Sequence, residues 1–297
     1  MGLDETQGSK QMFIRPSSHG NSHGNSHGNS HGNSHGNSHG NSGLSMAPGT
    51  GIALPVSFPI TKWEEELEPV NAGQFKAVEV HPDLWVLTTL SQVVHDLNQM
   101  DHAALITEMQ GTLNTATNVK EDLNRALRHR EGTVQLSGAE IADQSGDFKQ
   151  YFYALLSLNP REHTDTMRLI SLIYGVAGVF GMQLKLHFMR ARPAQVWPGL
   201  FPMLPTPPHP SFPSNHSIQA HALAHVLMAA LPTSRNNTGG FLQALAQRIA
   251  RNREYAGLHF ESDTTAGMSA VEYLLPKLLA HPEVADLVAK ARAELEL

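Results

Sequence analysis

An all-α helical bundle is the fold class that the sequence predicts, on three observations. Apolar residues recur at the three- and four-residue spacing of a helix face through most of the chain after residue 61. No run shows the sustained alternation of apolar and polar residues that marks a half-buried strand. The stretch LISLIYGVAGVFGM, Leu169 to Met182, is apolar nearly all round, which suits the central helix of a bundle. The composition agrees: 297 residues, 40% hydrophobic and only 16% charged, are enough to bury a sizeable core.

Taken in order, residues 1–60 read as a disordered tail and lead-in. From His19 to Ser42 the unit HGNS repeats six times, a polar, Gly-rich tract with no apolar surface to bury. Its histidines could chelate a metal ion loosely, but a solvated linker or an appended tag is the favoured reading. Pro48, Pro55 and Pro59 make residues 43–60 an extended lead-in. Residues 61–297 form the predicted single α-helical domain. Trp63 and Trp85 read as packing residues and Glu64-Glu65-Glu66 as a solvated helix start.

Val86, Leu87, Leu90, Val93, Val94, Leu97 and Met100 trace one face of a helix that Pro82 and Asp83 begin. Helices are expected at 103–113 and near 120–129, then a loop over 132–146. An amphipathic piece over 148–158 stops at Asn159-Pro160. The long apolar helix covers 164–188. Helices at 217–231, 241–254 and 262–279 follow, and a short polar one closes the chain.

Several classes are excluded or disfavoured. The chain has no cysteine, so disulfides, thiolate metal sites and a cysteine nucleophile are out. A formal charge of −6 gives no case for nucleic acid. The N-terminus lacks a basic-then-apolar run. Leu169 to Met182 alone is too short to span a bilayer. The expectation is a soluble, cytoplasmic protein. His221 and His225, in HALAH, read as core histidines or as histidines that support the site from behind, since the glutamate of a metalloprotease helix is missing.

Three segments carry chemistry. In KLHFMRARP, Lys185 and Arg192 lie seven apart, so a continuing helix would put both cations on one face. In PSFPSNHS, Ser214 is a candidate N-cap, and the backbone N–H groups that follow it make an anion site beside His216. In RNREYAGLHFESD, Arg253 offers a fork of donors to oxyanion oxygens. Asp263, four residues after His259, is placed to accept its other ring proton.

In this order the three segments resemble the signature of the type 2 phosphatidic acid phosphatase / vanadium haloperoxidase superfamily. The resemblance covers roughly residues 164–275 and extends to YAGLHFESDTTAG. It implies a helical bundle of that type, with the motifs converging on one phosphate or vanadate. Lys185, Arg192 and Arg253 would neutralise the equatorial oxygens, and the Ser214 hydroxyl and Asn215 backbone N–H would add hydrogen bonds. His259 would attack phosphorus or ligate vanadium. His216 would protonate the leaving oxygen and then activate water, and Asp263 would orient His259. Asn215 stands where the family commonly has Gly, and Asn252 precedes Arg253 where Ser is usual.

The expected activity is metal-independent phosphoester hydrolysis through a phosphohistidine, with no cofactor. The alternative is a vanadate-dependent haloperoxidase oxidising bromide or iodide with hydrogen peroxide. A non-catalytic helical scaffold ranks below both, because His216, Arg253 and His259 are all present. The run HFESD resembles the phosphatase form of the last motif. His209, seven before His216, resembles an extra histidine of bromide-oxidising members, although its place between prolines reads as a solvated loop. The partners implied are a small phosphoester, or halide and peroxide; the sequence does not fix the oligomeric state, although members of the family it resembles often pair through helical surfaces.

Overall fold

The computed structural model describes residues 80–115, 121–125, 127 and 138–296. The expected tail and lead-in, Trp63 and the Glu64–Glu66 run lie outside the described residues. Among the described residues the protein is all-α, with no strand.

Helix α1 spans Pro82–Asn98, with Pro82 in its first turn and the His81 ring accepting from Asp83 N at 3.3 Å. Proline suits this place because the first N–H groups of a helix have no intrahelical partner. The helix buries Val86, Val93 and Leu97, the face that the sequence pattern marks. Helix α2 (Ala103–Thr115) buries Leu105 and Met109. Of the expected 120–129 helix, residues 121–125 and 127 are described, and they are helical.

The 132–146 loop is corrected. Residues 138–143 are helical. Ile141 is fully buried against Ala256 and Leu258, and Glu140 receives Arg248 and Asn252. A six-residue helix has little stability of its own; contacts distant in sequence hold it. Helix α3 (Lys149–Leu156) ends at Ser157, whose φ is 56°.

Helix α4, Thr164–Phe188, has the expected bounds and lies at the centre, packing against α1, α3, α6 (Asn215–Ala230) and α9 (Pro282–Glu296). Its first turn is capped from the other end of the chain. The Glu294 carboxylate accepts from Asp165 N at 2.9 Å, Thr166 N at 2.8 Å and Thr166 Oγ1 at 2.6 Å. A negative charge on an N-terminus satisfies orphan donors and suits the helix dipole. The apolar span is longer than the fourteen residues noted in the sequence. Thr164–Val196 could cross a membrane by length and composition, with mean hydropathy 1.6, yet 61% of its most apolar window is buried within the fold. Such burial is what a core helix shows.

After the one-turn α5 (Pro193–Val196), α6 packs on α4, on α7 (Thr238–Tyr255) and on α8 (Glu261–Ala280). Gly267 permits the α6–α8 approach: a Cβ there would lie 2.7 Å from the Ser217 side chain and 3.0 Å from Ser214 O. This packing sets the start of α8 beside the start of α6, which is where the site is built.

Candidate active site

Helix α4 delivers Lys185 but not Arg192. The helix stops at Phe188, with Met189 left-handed at φ 51°, and Arg192 is the N-cap residue of α5. The expectation of two cations on one helical face is therefore corrected. The chain turn, not helix periodicity, brings them together, around the loop that precedes α6. Lys185 Nζ donates to Pro210 O and Ser211 O, both at 2.8 Å. Arg192 donates through Nε to His209 O at 2.9 Å and through Nη1 to Leu258 O at 2.9 Å. Both cations are almost fully buried. Burial first, then the neighbouring Arg192 charge, brings the Lys185 pKa down to about 7.

The second segment starts α6. Ser214 is its N-cap, and the Ser214 hydroxyl accepts from Ser217 N at 3.4 Å. Asn215 and His216 are the first residues of the helix, so their backbone N–H groups have no intrahelical acceptor. The Asn215 side chain turns away from the site and donates to Gly178 O in α4 at 3.2 Å. Only its backbone is available to an anion.

The third segment joins the end of α7 to the start of α8. Gly257, at φ 74°, makes the turn in a conformation that an L-residue would resist. Phe260 is the N-cap residue of α8 and Asp263 occupies the first turn, so the Asp263 carboxylate accepts from Phe260 N at 3.0 Å. The same Oδ2 receives His259 Nδ1 at 3.0 Å and the Ser211 hydroxyl. Oδ1 receives Arg190 Nη1 at 2.7 Å. Burial alone would raise the Asp263 pKa. The His259 hydrogen bond, the Arg190 charge and the Ser211 hydroxyl outweigh it and hold the carboxyl at about 2.

An ionised Asp263 on Nδ1 leaves the lone pair of His259 on Nε2, 3.4 Å from Arg192 Nη1. Burial keeps this imidazole neutral, well below its ordinary pKa. Among the described residues Arg253 has one hydrogen-bond partner, Ile141 O, at 2.5 Å from Nη2. Its Nε and Nη1 are buried without a hydrogen-bond partner among the described residues. Buried guanidinium donors of this kind are costly unless an acceptor reaches them. His216 donates from Nε2 to Gln144 O at 3.0 Å. Burial, and then the charges of Arg253, Lys185 and Arg192, lower its pKa to about 3. Both imidazoles thus feel the cations of a common site.

His209 is a half-buried loop residue held against the site, not a freely solvated one. Its ring Nδ1 lies 3.2 Å from Arg192 Nη2 and its carbonyl accepts from Arg192 Nε. His221 is a buried core residue, with Nδ1 2.8 Å from Ser217 O, and no cluster of metal-ligating side chains occurs among the described residues. Sequence reasoning passed over Arg190, Ser211, Asp122 and Gln144. Arg190 and Ser211 stand inside the quoted segments, yet nothing in their spacing shows that they meet Asp263. Asp122 lies in the 121–125 helical stretch and takes Arg190 at 3.4 Å and Ser262 at 3.2 Å.

No curated protein matches the chain. Residues 167–273 match the family model of the PAP2 superfamily, whose members are in general phosphatases and haloperoxidases. That span holds every residue of the three segments, so the region that carries the site matches the type 2 phosphatidic acid phosphatase superfamily.

Proposed function

We propose that the protein is a soluble phosphoester hydrolase that needs no metal and works through a phosphohistidine on His259. The observation that carries this reading is the pairing of a neutral, Asp263-held imidazole with the unpartnered donors of Arg253 and the buried cations Lys185 and Arg192. Phosphoryl transfer needs charge stabilisation, an in-line nucleophile and a proton for the leaving group. The cations, the Ser214 hydroxyl and the Asn215 N–H would hold the phosphoryl oxygens. The His259 Nε2 lone pair would form the N–P bond as the P–O bond breaks, and the leaving oxygen would take a proton from His216. Water, losing a proton to His216, would then attack phosphorus and release His259. A bound phosphate offsets the cations that depress His216 and Lys185, so both would gain protons when substrate arrives.

The test is hydrolysis of an aryl phosphate without added divalent metal, with vanadate as inhibitor. Wild type should turn over, His259→Ala should not, and denaturing quench should trap an acid-labile phosphoenzyme in wild type only. Full activity in His259→Ala would remove the proposed nucleophile.

The contact of His209 with Arg192 supports a second reading, a haloperoxidase. The donor set fits vanadate as it fits phosphate: His259 Nε2 would ligate it and the cations would hold its oxygens. When bound, vanadate would supply the activation of peroxide for halide oxidation. Vanadate-dependent bromination of a phenol dye, lost in His209→Ala with hydrolysis spared, would favour this reading.

A further inference from the structure

The family match begins at residue 167, but one partner of each of two site residues comes from before it. Gln144 O receives His216 Nε2 at 3.0 Å, and Ile141 O receives Arg253 Nη2 at 2.5 Å. Phe148, four residues after Gln144, covers the His216 ring with centroids 5.3 Å apart and planes inclined by 35°. Residues 141–148 therefore hold His216 by an edge and a face.

Gln144 is itself locked. It is fully buried; its side-chain amide donates to Glu140 Oε1 at 2.8 Å and accepts from Asn252 Nδ2 at 2.8 Å. Asn252 also donates to Glu140 Oε1 at 3.1 Å and precedes Arg253 on α7. The amide pair thus fastens residues 138–144 to the helix that carries Arg253. This gives Asn252 a function that the shorter Ser usual in the family would not fill in the same way.

A carbonyl can only accept, so the ring nitrogen facing it must carry a proton in both charge states of the imidazole. We propose that Gln144 is a positioning residue that fixes His216 as its Nε2–H tautomer, making Nδ1 the atom that trades protons with the leaving group. The Gln144–Asn252 amide pair holds that carbonyl in register. The inference rests on the phosphatase reading for its chemistry, but the tautomer is a property of the resting protein and is measured without turnover.

The test replaces Gln144 with Leu in the full chain, removing the side-chain lock at similar volume. Two phosphate esters are compared, one with a nitrophenol leaving group and one with a simple alkanol. An alkoxide must be protonated as it leaves, whereas nitrophenolate departs unaided. General-acid catalysis contributes about 10²–10⁴-fold, so Gln144→Leu should lower kcat on the alkyl ester by about 100-fold and on the nitrophenyl ester by about threefold or less. Equal losses on both esters, or no loss on the alkyl ester, overturn the proposal. Nitrogen-15 NMR of the resting protein should show His216 protonated at Nε2 in wild type and mixed tautomers in Gln144→Leu. A wild-type ring protonated only at Nδ1 also overturns it. If Gln144→Leu does not fold, Asn252→Ala takes its place with the same outcomes. If wild type hydrolyses neither ester, the phosphatase reading fails, while the NMR result still decides the positioning claim.

Discussion

Replacing Asp263 with Asn keeps the size of the side chain and removes its charge. In the native protein this carboxylate is fully buried and takes four donors: Arg190 Nη1 at 2.7 Å, Phe260 N at 3.0 Å, His259 Nδ1 at 3.0 Å and the Ser211 hydroxyl. A pKa of about 2 against the ordinary 3.8 corresponds to about 2 kcal/mol of stability from the charge. Because the folded pKa is the lower one, that stability is fully present above 3.8 and is lost as the pH falls toward 2. Breaking a buried ion pair costs about 3–5 kcal/mol because the partner is left uncompensated. Here Asp122, 3.4 Å from Arg190, retains part of the compensation, so about 3 kcal/mol is expected. Urea denaturation at pH 7 measures this, and the gap between wild type and Asp263→Asn should narrow from pH 4 to pH 2. An amide also cannot fix His259 as the Nδ1–H tautomer while serving its other donors. Hydrolysis of an aryl phosphate should fall by about 10³–10⁴-fold, the scale of losing a tautomer-setting carboxylate. A folded Asp263→Asn protein with kcat within tenfold of wild type would refute the reasoning.

Gly267→Ala should destabilise the protein by about 1–3 kcal/mol, because the added methyl meets the Ser217 side chain at 2.7 Å and Ser214 O at 3.0 Å; thermal melting reads it, and an unchanged midpoint sinks the close-approach argument. Glu294→Ala should cost about 1–2 kcal/mol by uncapping the first turn of α4, where three donors converge on one carboxylate. Calorimetry should place the loss equally in the full chain with or without phosphate. Sulfate, whose charge is constant from pH 5 to 9, should bind more weakly as the pH rises through 7, by up to tenfold per pH unit, as Lys185 loses its proton. In Lys185→Met the curve should be weaker and flat through pH 7; a decline that persists assigns the titration to another group.

Helix positions and the residue types of the site were legible in the sequence because both depend on short-range pattern. The apolar face of α1, the uniformly apolar α4 and the Ser214 cap follow from spacing, and the Lys185, Arg192, His216, Arg253, His259 and Asp263 series follows from motif order. The pairing of His259 with Asp263 was readable from their four-residue spacing, but it is made across the Phe260 cap, because His259 lies before α8 and not on it.

The contacts between those groups were decided by tertiary structure. Met189 ends α4 before Arg192, so the two cations meet through the 209–211 loop instead of along a helix. Residues 138–144 carry no strong helical pattern, yet they supply carbonyls to His216 and Arg253 because Ile141 is buried against Ala256 and Leu258. Arg190 reaches Asp263 across 73 positions of chain and Asn252 reaches Gln144 across 108. Local sequence sets which side chains a turn or helix presents. Which of them share a buried, low-dielectric site depends on how distant helices close on one another, and the sequence spacing of those partners carries no record of it.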